Sequence, residues 1–120
     1  MAQPQTATRP RSQAATQTVA FYLDPLCPWA WRASEWMRQV RQVRPVQVDW
    51  RFFSLEEVNK GDGQVDWAGG RSAPALRVLA LVRRRHGNEA VDRLYAALGQ
   101  ARFVREEKYE PAVVEAALEA

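Results

Sequence analysis

Asp24-Pro25-Leu26-Cys27-Pro28-Trp29-Ala30-Trp31, DPLCPWAW in one-letter code, carries the only cysteine of a 120-residue chain. Ahead of it, Thr18–Leu23 (TVAFYL) is a short apolar run rich in strand formers. An unalternating run of this kind predicts a buried strand of a parallel sheet. Behind it, apolar side chains recur at Trp29, Ala33, Trp36, Met37, Val40 and Val43, the spacing of a helix with one buried face. Pro45 ends that helix, because proline disfavours the α conformation in the residue before it. Val46–Phe53 (VQVDWRFF) then alternates Val46, Val48, Trp50 and Phe52 with Gln47, Asp49 and Arg51, a strand with one buried face. Strand, helix, strand is a βαβ unit, and such a crossover makes its two strands parallel.

Beyond this unit the pattern turns helical. Glu56–Gly70 holds the turn signals Gly61-Asp62-Gly63 and Gly69-Gly70 and reads as a loop. Ser72 is placed to cap a helix that tolerates Pro74 in its first turn and runs to Gly87. Asn88 is placed to cap the next, with Val91, Leu94, Tyr95 and Leu98 on one face and Gly99 closing it. Glu110-Pro111 opens a third helix carrying Val113, Val114, Ala117 and Leu118. Two strands make an incomplete sheet for any α/β plan. Their unpaired edges predict low stability or self-association.

Residues 1–18 are rich in Gln, Thr and Ala and contain no apolar run, so a disordered tail is expected there. The segment lacks the continuous apolar stretch of a secretory signal. The chain has no run of 18 or more apolar residues, so no membrane span is expected. Apolar residues make up 47% and charged residues 26%, ordinary values for a soluble domain. The net charge of +3 comes mostly from arginine, since only Lys60 and Lys108 are lysines. Arg83-Arg84-Arg85-His86 sits in the last turn before Gly87, where cations complement a helix dipole, and a nucleic-acid partner is not expected. His86 is the only histidine, so no Cys/His metal set exists. The glycines at 61–63 and 69–70 have neither the order nor the Lys of a phosphate loop. One cysteine cannot form an internal disulfide, and a reducing cytoplasm is the expected setting.

Cys27 follows a strand and begins a helix. Pro28 fits the first helical position, where its missing N–H costs nothing. The free N–H groups of a helix start stabilise a thiolate, the nucleophile of disulfide exchange. A buried structural cysteine is the competing reading. Trp31 falls off the apolar stripe, beside Ser34, Glu35 and Arg38. It either floors a binding groove or packs under the later helices. Asp24, three residues before the thiol, relays a proton, opposes ionisation of the sulfur, or simply starts a turn.

These residues resemble a known family. FYLDPLCPWAW is similar to the active-site segment of actinobacterial DsbA-like proteins, in the mycothiol-dependent nitroreductase branch. That branch is close to the kappa-class glutathione transferases and 2-hydroxychromene-2-carboxylate isomerases. The family pattern is Asp-Pro-Leu-Cys-Pro-Trp-Cys-Trp, matched at Asp24 to Trp29 and at Trp31. Phe53-Ser54-Leu55, Asn59, His86-Gly87, Leu94-Tyr95 and Leu98-Gly99 add weaker matches, so the likeness runs from Val19 to Ala120.

The resemblance implies an α/β chain: the N-terminal βαβ of a thioredoxin-like fold over 19–54, then part of its helical insertion over 55–120. It implies that the C-terminal half of the fold is absent and the chain truncated. Cys27 becomes the attacking cysteine, within an active-site loop of Asp24, Pro25, Pro28, Trp29, Ala30 and Trp31. Ala30 stands where the family has its second, resolving cysteine, which makes this a monothiol site. The implied co-substrate is mycothiol or a similar small thiol, with no permanently bound cofactor or metal. The second substrate is a disulfide or an electrophile. Two alternatives remain: a kappa-like transferase or isomerase that activates the small thiol without bonding to it, or an inactive fragment.

Overall fold

A computed structural model describes residues 15–61 and 70–120. Most of the expected tail and the turn signals at Asp62, Gly63 and Gly69 lie outside the described residues. The elements are β1 (Gln17–Leu23), α1 (Pro28–Val43), β2 (Val46–Phe52), α2 (Leu55–Lys60), α3 (Ala73–His86), α4 (Asn88–Gly99), a π-helical turn (Gln100–Val104) and α5 (Pro111–Glu119). The fold is therefore mixed α/β, two parallel strands followed by helices. β1 and β2 pair in parallel from Gln17↔Val46 to Leu23↔Phe52. The helix ahead of Pro45 stops at Val43, and Arg44 is extended, as a residue before proline must be.

One face of the sheet carries the core. Leu23, Val48 and Trp50 join Trp31 of α1 and Val91, Leu94, Tyr95 and Leu98 of α4 in a single cluster. The other face stays open. Thr18, Ala20, Tyr22, Gln47 and Arg51 are exposed, Tyr22 to 54%. β1 is thus not the two-sided buried strand that its apolar run predicts. Among the described residues, helices cover only one side of it.

The outer edge of β2 is closed by side chains. The Asn88 amide oxygen accepts from Trp50 N–H at 2.8 Å, and its NH2 donates to Val48 C=O at 2.7 Å. Arg83 donates to the Trp50 carbonyl and, at 2.9 Å, to the Asp49 carboxylate. Asn88 is therefore not the cap that its position suggested. Gly87, at φ 88, makes the α3–α4 corner, and Asn88 is spent on the sheet. Arg83 likewise leaves the basic run and turns inward, while Arg84, Arg85 and His86 stay exposed.

Three further expectations are corrected. The buried residues of α1 are Trp31 and Ser34; of the apolar stripe Met37 packs half-buried against the core, while Trp29, Trp36 and Val43 are exposed to 80%, 61% and 51%. Two polar side chains lie on the inner side: Ser34 donates to the Trp31 carbonyl at 2.6 Å, and Arg38 lies 5.1 Å over the Trp50 ring, its buried Nε without a hydrogen-bond partner among the described residues. Gly99 does not close its helix. It is helical at φ −65, and the chain runs on through the π-helical turn, where Arg105 N–H reaches the Gln100 carbonyl at 3.0 Å. Part of the expected loop is helix α2. Ser54 caps it by accepting from Glu57 N–H at 3.3 Å, two glutamates occupy its first turn, and Gly61 stops it at φ 70.

Candidate functional site

Cys27 is the N-cap of α1, with Pro28 in the first turn. Its backbone is extended, at φ −91 and ψ 113, as an N-cap requires. Its N–H donates to the Asp24 carbonyl at 3.0 Å, closing the turn that leaves β1. Its sulfur accepts from Ala30 N–H at 3.4 Å, so the thiol stands where a capping oxygen normally stands. The positive end of a 16-residue helix points at it. The residue is half-buried.

Asp24 is buried, and both carboxylate oxygens are engaged by main chain. One accepts from Leu26 N–H at 2.9 Å, within the turn; the other accepts from Leu55 N–H at 2.9 Å, at the start of α2. Asp24 is therefore a brace between the cysteine turn and α2. Ser72 is not the side-chain cap of α3. Its hydroxyl lies 2.9 Å from that of Ser54, and the first N–H groups ahead of α3 go to Glu56, with Arg71 N–H at 2.8 Å.

These ties enclose a cleft of about 580 Å³ between the cysteine turn, α2 and the start of α3. Asp24, Cys27, Pro28 and Trp29 meet there, facing Glu56, Asn59, Lys60 and Arg71. Trp29 stands at the rim with an exposed indole. Pro25 and Trp31 do not line it: Pro25 is fully buried, and Trp31 sits in the core, edge-on to Tyr95 at 5.8 Å and stacked on Phe103 at 6.1 Å. The packing alternative for Trp31 is the one the structure realises. Ala30 contributes its N–H and no side-chain chemistry. His86 lines a separate crevice with Val82 and Arg93.

The sequence did not point to Glu56, Arg71 or Tyr109. The capping pair Ser54-x-x-Glu57 was a readable signal for α2. Tyr109 had none: it donates to Pro25 C=O at 2.6 Å from 84 residues away. A second cleft, of about 470 Å³ and more apolar, opens on the other flank of α2 between Phe52, Phe53, Val58 and Leu76, and Cys27 does not line it. Among the described residues no three His, Cys, Asp or Glu gather as metal ligands, and no helix is long and apolar enough to cross a membrane.

The model of one protein family, described as "Rv2466c-like: Mycothiol-dependent nitroreductase Rv2466c", matches residues 26–120. The Mycobacterium tuberculosis protein named uncharacterized protein Rv2286c is 45% identical over 87 residues. That alignment covers 68% of this chain and 36% of the relative, so the chain spans little more than a third of that protein's length.

Proposed function

The chain belongs to the Rv2466c-like family of mycothiol-dependent nitroreductases, and from that premise we propose that Cys27 carries out thiol–disulfide exchange with mycothiol or a similar small thiol. The observation that carries this reading is the position of Cys27: the only thiol, at a helix N-cap, accepting from Ala30 N–H and opening on a cleft. The attacking species in disulfide exchange is the thiolate.

In the first step the Cys27 thiolate attacks one sulfur of a small-thiol disulfide. The S–S bond breaks, a Cys27 mixed disulfide forms, and the departing thiolate takes a proton from solvent. With Ala30 in the resolving position, no internal thiol can cut that bond. A second small thiolate attacks it, regenerating the Cys27 thiolate and releasing a disulfide. The two steps balance without an outside oxidant or reductant.

On this reading the βαβ unit is the N-terminal part of a DsbA-like thioredoxin fold, working in a reducing cytoplasm, and the helices belong to its insertion. Asp24 and Pro25 shape the turn, Pro28 starts the helix, and Trp29 forms the rim. Self-association goes through the β1 edge, since side chains already occupy the β2 edge.

Intact-mass spectrometry after incubation with oxidised mycothiol tests the proposal. A single mycothiol adduct on Cys27, removed by reductant, is expected; a chain that stays unmodified refutes it. The lone thiol also suits a transferase that activates the small thiol without bonding to it. Cys27→Ser separates the two, because only the transferase retains turnover.

A further inference from the structure

The turn that presents the thiol is held from the far end of the chain. Tyr109 lies on the segment between the π-helical turn and α5, and its ring packs against the core. Its hydroxyl donates to the Pro25 carbonyl at 2.6 Å. Burial pushes the Tyr109 phenol well above its ordinary value, so it stays a donor across the neutral range.

Pro25 is fully buried and has no N–H, so its carbonyl is its one main-chain polar group. Losing the Tyr109 hydroxyl would leave that carbonyl without this donor in the interior, and a buried polar group without a partner drives local rearrangement. The residues on either side belong to the thiol's own scaffold. Asp24 C=O accepts from Cys27 N–H, and Leu26 N–H donates to the Asp24 carboxylate. Rotation of the Pro25–Leu26 peptide therefore moves Cys27 relative to Ala30 N–H.

We propose that Tyr109 is a positioning residue for Cys27, locking the thiol turn from below while Asp24 locks it from the side of α2. The inference rests on the exchange reading above. It adds that the helical region of the chain is needed to hold the thiol in line with the helix end.

The test compares the unaltered chain with Tyr109→Phe, which keeps the buried ring and removes only the hydroxyl. The rate of Cys27 modification by oxidised mycothiol is followed across pH, with a circular dichroism melt of each chain. A folded variant reacting about three- to tenfold more slowly, with a changed pH profile, is expected, because small misplacements of a reacting atom cost rate steeply. An unchanged rate and profile in a folded, less stable variant would make Tyr109 purely structural and overturn the inference, with the exchange reading intact. An unaltered chain that does not react overturns the exchange reading first, and this inference with it. If Tyr109→Phe does not fold, amide hydrogen exchange in the unaltered chain decides. Protection of the Leu26 and Cys27 amides like that of the α1 interior supports the lock; exchange like that of an open loop overturns it.

Discussion

A Cβ on Gly99 would collide with Cε3 and Cζ3 of the Trp31 indole. Gly99 has ordinary helical angles, so the missing side chain, and not backbone freedom, is what the position requires. The indole of α1 enters the space that α4 leaves open.

Gly99→Ala should therefore destabilise the chain although alanine is the better helix former. The propensity gain is about 1 kcal/mol, while forcing a methyl into a close-packed contact costs about 1–3 kcal/mol and more where neither side can yield. A thermal melt should show a lower midpoint. Combined with Trp31→Leu, the loss should be less than the sum of the two single losses, because the methyl then has room.

Asn88→Ala should cost about 2 kcal/mol, since a buried main-chain N–H and C=O lose their partners together. Urea unfolding measures the loss, and hydrogen exchange should accelerate selectively at Trp50 N–H. Asn88→Asp should not rescue it. The carboxylate can still accept from Trp50 N–H, but its second oxygen faces the Val48 carbonyl.

Asp92 ties α4 to α1 through Arg38 and, at 2.7 Å, Arg41. Burial raises its carboxyl, but hydrogen bonds from Arg41 and Arg38 outweigh that, and the net shift is below the ordinary value of 3.8. A carboxyl lowered by folding binds protons more weakly in the native state. Its contribution is complete above 3.8 and disappears as pH falls through the lower native value. Asp92→Asn should cost about 1–2 kcal/mol near neutral pH, discounted for the partly exposed arginines. The gap between the two chains should close in melts recorded at progressively lower pH in the acid range.

Ala30→Cys should convert the site to a dithiol. Residue 30 already directs its N–H at the Cys27 sulfur from one helical turn away. After oxidation the variant should lose two hydrogens in mass and show no free thiol. Its mycothiol adduct should clear without added thiol, whereas the Cys27 adduct of the unaltered chain should persist. Persistence in both would mean that the helix start holds the two sulfurs apart.

The βαβ unit and the start of α5 could be read because their signals are local: alternation in Val46–Phe52, an apolar run before Asp24-Pro25, proline at a helix start. The inner face of α1 could not. Helical spacing picked the stripe of Trp29, Trp36 and Val43 and left Trp31 and Ser34 off it, but the buried set is chosen by what the partner helix accepts, here a glycine opposite an indole. The site divides in the same way. Cys27, Pro28 and the Asp24 turn follow from adjacent residues. The roles of Leu55, Glu56 and Tyr109 depend on pairings across 31, 15 and 84 positions, which no periodicity encodes.

The Asn88 amide gives the sheet a direction of growth. Gln17 N–H and Leu23 C=O turn toward β2, so the alternate residues Thr18, Ala20 and Tyr22 direct their main-chain groups outward. Any strand that extends this ladder has to join there, since the opposite border is already saturated at Val48 and Trp50. The strand it joins is the one that ends in the cysteine turn. Whatever occupies that border is placed beside the turn that carries the sulfur.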